Sequence, residues 1–170
     1  MLVDQFDVFL LDLDGVVYVG DTLLSGVTEA LASLRSRGRV VRFVTNDPRP
    51  SRKDVVHRLG RLGVRATVEE IVSSGWATAC WLRQQGITRA YVVGSDGLRG
   101  ELAAQGVESV EGSGAEAVVV AMNSGGSARA VLRYAVEAAP VVPPRTLGAA
   151  DARVLRSEWT PAVTAASKAD

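Results

Sequence analysis

Two carboxylates two residues apart, followed at once by glycine, carry most of the chemistry in this sequence: Asp12-Leu13-Asp14-Gly15-Val16-Val17-Tyr18. They close a short apolar run, Val8-Phe9-Leu10-Leu11, which reads as a fully buried strand of a parallel sheet. Ligands of open α/β sheets bind at such strand C-termini. On an extended segment residues two apart share a face, so Asp12 and Asp14 can point at one site. If the backbone bends after Asp12, Asp14 can present its main-chain carbonyl instead. Two clustered acids repel, which favours a cation beside them or a shared proton. Gly15 permits an unusual turn directly after them. Oxygen ligands with a water-rich shell describe a magnesium (Mg2+) site for phosphate chemistry.

A second strand, Val40-Val41-Arg42-Phe43-Val44, ends in Thr45-Asn46. In a parallel sheet that end lies on the same rim as Asp12. A hydroxyl and an amide there donate hydrogen bonds to phosphate oxygens without adding charge. Nucleophile, proton shuttle and phosphate anchor on one rim follow the logic of phosphoryl transfer through an aspartyl-phosphate.

The elements around these residues alternate. A helix with the stripe Val27, Leu31 and Leu34 is expected, capped at Ser25 or a neighbour and stopped by Gly38. Pro48 and Pro50 mark a loop. Ser51 with Asp54 reads as a capping box, opening a helix with Val55, Leu59 and Leu62 inward. A second unit begins near Ser74, with a helix carrying Trp76, Ala79, Cys80 and Leu82 and ending at Gly86. A strand over 90–93, a helix over 98–105, a strand over 117–122 and a helix over 127–139 follow. From Pro143 no clean periodicity remains. The alternation predicts a parallel α/β sheet.

The chain has 170 residues, room for one domain or one small domain plus part of another. Its 19 basic residues balance 19 acidic ones, so no basic field points to nucleic acid. The longest apolar run, 117–122, is too short to span a bilayer, and no membrane partner is expected. The first residues lack a basic stretch and carry Asp4 and Asp7, unlike a secretory signal. The lone Cys80 forms no internal disulfide, which suits a cytoplasmic protein. Only Lys53 and Lys168 are lysines.

In order and spacing these residues resemble the haloacid dehalogenase (HAD) superfamily of phosphatases. The nearer branch contains NagD, p-nitrophenyl phosphatase-like proteins, phosphoglycolate phosphatase and pyridoxal phosphatase. The match comprises residues 12–18, then Phe43-Val44-Thr45-Asn46 with Ser51-Arg52. It continues in Ser73-Ser74-Gly75-Trp76-Ala77 and Tyr91-Val92-Val93-Gly94-Ser95-Asp96-Gly97-Leu98. The resemblance implies a partial HAD-type Rossmannoid core over 1–75, an α/β cap over 76–142 and an irregular tail over 143–170. It implies that Asp12 is the nucleophile and a magnesium ligand. Asp14 would be the general acid/base, with its carbonyl on the metal. Gly15, Thr45 and Asn46 would form the substrate-binding set, Thr45 and the Asn46 amide holding the phosphoryl group. Residues 16–21 would be a mobile flap, and the substrate a small phosphorylated metabolite selected by the cap.

The same resemblance predicts a phosphate-stabilising lysine and a further acidic metal motif after the cap. Neither lysine of this chain matches that position, and residues 140–170 match nothing in the pattern; an early stop or a frameshift near residue 140 would give such a tail. Losing one preorganised stabiliser costs about 3–4 kcal/mol in comparable sites. Two readings therefore stand: a magnesium-dependent phosphomonoesterase, or a catalytically impaired HAD-like fragment acting at most as a binding or assembly module. A receiver-like signalling domain also phosphorylates an aspartate, but it needs adjacent acids after its first strand. The first strand is central in this family, so here its outer edge is expected to be apolar and exposed unless a second copy covers it.

The remaining residues read more plainly. His57 is expected at the surface and Cys80 as a packed thiol. Gly94, Gly97 and Gly100 read as turn glycines rather than a dinucleotide loop. Trp76 and Trp81 lie on different sides of their helix, one packed and one near the surface.

Overall fold

The structure is a computed structural model and describes residues 2–111 and 114–121. A 3-10 turn at Leu2–Asp4 precedes β1 (Val8–Asp12). Next come a short antiparallel pair, β2 (Tyr18–Val19) and β3 (Thr22–Leu23), then α1 (Val27–Ser36), β4 (Val40–Thr45) and α2 (Arg52–Arg61). The order continues with a second 3-10 turn (Val68–Glu70), β5 (Ile71–Ser73), α3 (Ser74–Gln84), β6 (Arg89–Val93), α4 (Asp96–Ala104), β7 (Glu108–Ser109) and β8 (Ala117–Val120). The strands form two three-stranded parallel sheets, ordered β1-β4-β5 and β7-β6-β8. This is the expected mixed α/β architecture. The expected helix over 127–139, the last residue of the strand over 117–122 and the tail over 143–170 lie outside the described residues; Ala121 is described and lies just past the end of β8.

In the first sheet β4 is the middle strand, and its alternation shows why. Val41, Phe43 and Thr45 are buried on one face. Leu31 of α1 and Val55 and Leu59 of α2 join Val41 and Phe43 in one core cluster. The apolar stripes of both helices therefore close on that face, and fully burying a side chain such as Phe43 contributes about 1.5–3 kcal/mol. Entry into α2 is fixed locally. The Ser51 hydroxyl accepts the Asp54 amide at 3.2 Å, while the Asp54 carboxylate accepts the Ser51 amide at 2.9 Å. This is the expected capping box.

Two expectations need correction. At the start of α1 the capping position belongs to Gly26, in a left-handed conformation and without a side-chain hydrogen bond; Ser25 does not cap the helix. More consequential is β1, which is not fully buried: Val8 is 54% and Leu10 67% exposed. Among the described residues β4 is its one strand neighbour. An apolar run reports that both faces of a strand tolerate burial, not that something covers them. The expected exposed apolar edge is therefore present among the described residues, with Phe6 beside it at 54%.

In the second sheet Ala90 and Val92 of β6 are buried with Ala79 and Leu82 of α3 and with Leu98 and Leu102 of α4. β5 and β7 were not expected. One has three residues and the other two, and Glu108 and Ser109 of β7 are both exposed, so neither shows a readable alternation. Among the described residues no helix is long and apolar enough to cross a membrane.

Candidate active site

The strand register brings the chemistry-bearing residues to one rim. Asp12 lies beside Val44, the residue before Thr45, and Thr45 lies beside Ser73. All three strands run parallel, so their C-terminal ends, at Asp12, Thr45 and Ser73, face the same side.

At Asp12 the chain leaves the sheet. Leu13 is fully buried, and its carbonyl accepts the amides of Val16, Val17 and Tyr18 at 3.4, 2.9 and 3.2 Å. Such a tight reversal needs a left-handed residue, and Gly15 supplies it with φ +81°. The Gly15 amide donates to the Tyr18 carbonyl at 2.8 Å and closes the loop. Of the two geometries open to Asp14, the bent one is adopted: Asp14 sits beyond the strand, bridged to Tyr18. Asp12 and Asp14 are both exposed at this turn. Asp12 Oδ1 accepts the amide of Leu13 at 2.9 Å. Its Oδ2 and both oxygens of Asp14 have no hydrogen-bond partner among the described residues, so these are the oxygens open to a ligand.

Thr45 and Asn46 differ in character. Thr45 is 5% exposed, and its hydroxyl oxygen accepts the Asp47 amide at 3.1 Å, leaving the hydroxyl proton to be donated. Asn46 is exposed; its backbone carbonyl accepts the Ser74 hydroxyl at 3.0 Å, and its side-chain amide is unpartnered among the described residues. The structure thus places Asp12, Asp14, Gly15, Thr45 and Asn46 on one rim and its adjoining turn.

Residues 16–21, the segment expected as a flap, form the lead-in, first strand and turn of the β2–β3 hairpin. Arg58 of α2 holds it: one guanidinium nitrogen donates to the Gly20 carbonyl at 2.7 Å, and the guanidinium carbon stands 4.3 Å from the centre of the Tyr18 ring. Burial pushes the Tyr18 phenol up from its ordinary value; Arg58 opposes the shift, and Asp14, Asp47 and Asp12 reinforce it.

Reading the sequence missed a pair at this rim. Asp47 receives Arg49 through two side-chain bonds, Nε to Oδ1 at 2.8 Å and Nη2 to Oδ2 at 2.7 Å. These bonds hold the Asp47 carboxyl below the usual aspartate range. The signal is local, an acid and an arginine two apart between Asn46 and Pro50, but that spacing in a loop does not by itself specify a bidentate pair.

The donor set suits a hard cation. Asp12 and Asp14 offer oxygen only, and no cluster of three or more His, Cys, Asp or Glu side chains able to hold a metal exists among the described residues. Magnesium is commonly held by one or two carboxylates, with waters and substrate phosphate completing its shell, so these residues fit it. Zinc, which favours nitrogen and sulfur ligands, does not fit.

The chain matches the family model described as haloacid dehalogenase-like hydrolase over residues 9–108. It is 38% identical over 115 residues to phosphoglycolate phosphatase 2 of Arabidopsis thaliana, covering 65% of this chain and 38% of that protein. Among solved structures it is similar to a glycerol phosphate phosphatase of Mycobacterium tuberculosis in complex with magnesium. There the TM-score is 0.66 at 33% identity, over 81% of this chain and 43% of the other. A 4-nitrophenylphosphatase of Thermotoga maritima gives a TM-score of 0.70 at 26% identity, over 81% of this chain and 52% of the other. The chain thus spans roughly two fifths to one half of these relatives. The family match covers the Asp12 turn, the Thr45–Asn46 strand end and the unit that follows, and the chain belongs to the haloacid dehalogenase-like hydrolases.

Proposed function

We propose that this chain is a magnesium-dependent phosphomonoesterase acting on a small phosphorylated metabolite. One observation carries the reading: Asp12 ends a parallel strand beside the strand ending in Thr45–Asn46, with an unpartnered oxygen at the rim. The relatives' names support the substrate class, since they describe phosphatases of phosphoglycolate, glycerol phosphate and 4-nitrophenyl phosphate.

The chemistry proceeds in two displacements. Asp12 Oδ2 attacks phosphorus, and the bond from phosphorus to the substrate oxygen breaks as the bond to Asp12 forms. Asp14, protonated, gives its proton to the departing oxygen. As a carboxylate it then takes a proton from water, whose oxygen attacks the phosphorus of the aspartyl-phosphate. Inorganic phosphate leaves, and Asp12 and the proton on Asp14 are restored. The Thr45 hydroxyl and the Asn46 amide donate to the phosphoryl oxygens throughout, and Gly15 lets the turn approach them. A bound magnesium ion, held by the Asp12 carboxylate and the Asp14 carbonyl, would supply positive charge opposite the phosphoryl oxygens. Residues 1–75 act in this reading as the catalytic part and 76–142 as a cap. The burial of α3 side chains in the second core cluster supports that division. A cytoplasmic location belongs to the same reading.

The alternative of a non-catalytic module is not favoured, because the relatives named above are phosphatases. Mass spectrometry of acid-quenched protein tests the mechanism. During turnover of a phosphomonoester, the peptide holding Asp12 should carry a phosphate that Asp12→Asn lacks. Turnover that persists in Asp12→Asn without any adduct would overturn it.

A further inference from the structure

The loop that follows the phosphate anchor, residues 46–51, is anchored at its ends within the first unit, by Thr45 and by the Ser51–Asp54 capping box, while its Asn46, Pro48 and Arg49 carbonyls are held by hydroxyls of the second. Its middle carbonyls, Pro48 and Arg49, accept the Ser95 hydroxyl at 3.5 and 2.6 Å. Gly97 of α4 lies against the same backbone: a Cβ added there would stand 2.2 Å from the Arg49 carbonyl oxygen and 2.6 Å from the Ser51 nitrogen. Only a glycine allows that approach. At the far end of the loop, Arg52 begins α2. Its backbone amide donates to Glu101 Oε1 at 2.6 Å and its Nε to Oε2 at 3.0 Å. Glu101 is 5% exposed, and the Arg52 guanidinium stands 4.9 Å from the Trp76 ring centre.

This arrangement is costly unless complete. A carboxylate this buried needs its partner, and breaking one side leaves a desolvated charge. Two of its bonds go to a single residue, one to the backbone amide and one to the side chain, so the pair fixes the position of the chain as well as the charge. Pro48 and Pro50 stiffen the loop between that fixed point and Thr45. Displacing Arg52 must therefore be transmitted toward Asn46.

We propose that Glu101 is a positioning residue for phosphate binding: through Arg52, and with Gly97 against the loop backbone, it sets where Asn46 meets the substrate phosphate. The proposal rests on the phosphatase reading for its catalytic consequence, but not for its structural one. A residue that holds a binding loop, rather than the reacting atoms, contributes equally to ground-state and transition-state binding. Its loss raises KM and leaves kcat nearly unchanged, whereas loss of folded protein lowers apparent kcat at constant KM.

The test uses the full chain with Glu101→Gln, which keeps the shape and removes the charge, and Gly97→Ala, which pushes the loop without touching the charge. With p-nitrophenyl phosphate and magnesium, both variants should raise KM about tenfold, with kcat within about twofold of the parent. The inhibition constant of inorganic phosphate should rise in step. Independently of turnover, hydrogen exchange at the Asn46, Asp47 and Arg49 amides should quicken in both variants while that of β4 does not. If the parent does not turn over substrate, the phosphatase reading fails, and the exchange measurement alone decides the clamp. Loop exchange unchanged from the parent, or a fall in kcat at unchanged KM, overturns the proposal.

Discussion

Asp12 and Val44 are partners in the parallel ladder of β1 and β4, which sets the exposed carboxylate of one strand end against the strand that continues into Thr45. The pairing is backbone geometry, so it does not depend on what fills the site. In the proposed mechanism it puts attack on phosphorus and retention of the phosphoryl group on one rim. Several measurable consequences follow from the contacts around that rim.

Arg58 ties the β2–β3 hairpin to α2, and its removal should loosen the hairpin first. Arg58→Met keeps much of the aliphatic stem and loses the bond to Gly20 and the contact with Tyr18. The side chain is about one third exposed, so solvent screens part of the effect. We expect a loss near 1 kcal/mol in denaturant unfolding, from the cation–π contact and a charge-assisted bond. Faster amide exchange confined to residues 18–23 should accompany it. Unaltered exchange there would show that Arg58 does not restrain the hairpin.

Asp47 predicts a pH dependence. Its hydrogen bonds with Arg49 hold the folded-state carboxyl below the ordinary aspartate value, so the ionised form is favoured in the folded chain. The stabilisation is complete above the unfolded value, about 3.9, and is lost as pH falls through the lower folded value. Comparing urea unfolding of the parent and Asp47→Asn should give a constant gap between pH 5 and about 7 that narrows below pH 4. A gap that widens on acidification would contradict the assignment.

The apolar edge of β1 should govern self-association. Leu10 is 67% exposed, so Leu10→Lys removes little burial while placing a charge on the edge. The unfolding free energy should stay within about 0.5 kcal/mol of the parent, and light scattering at high concentration should fall. A loss of several times that size would mean that Leu10 is covered in solution, as it would be beneath a second copy of the chain.

Some of this was legible in the residues. The Asp12–Gly15 turn, the Thr45–Asn46 strand end and the Ser51–Asp54 capping box are local patterns, and each residue needed lies within a few positions of the others. Trp76 and Trp81 also divide as helical spacing requires, the first half-buried under Arg52 and the second 51% exposed. The Arg52–Glu101 pair was not legible, because 49 residues separate its members and each looks like an ordinary charge on an amphipathic helix. Gly97 reads as a helix-opening glycine. Its close approach to the Arg49 carbonyl belongs to the packing of two units, which no local pattern records. The exposure of β1 escaped for the same reason: hydrophobicity describes a strand, and burial depends on its neighbours.

The most direct test is magnesium-dependent hydrolysis of p-nitrophenyl phosphate by the full chain beside Asp12→Asn. Phosphate release that needs magnesium and vanishes in Asp12→Asn is the predicted result. Folded protein with no release above the Asp12→Asn level would contradict the assignment of Asp12 as a working nucleophile.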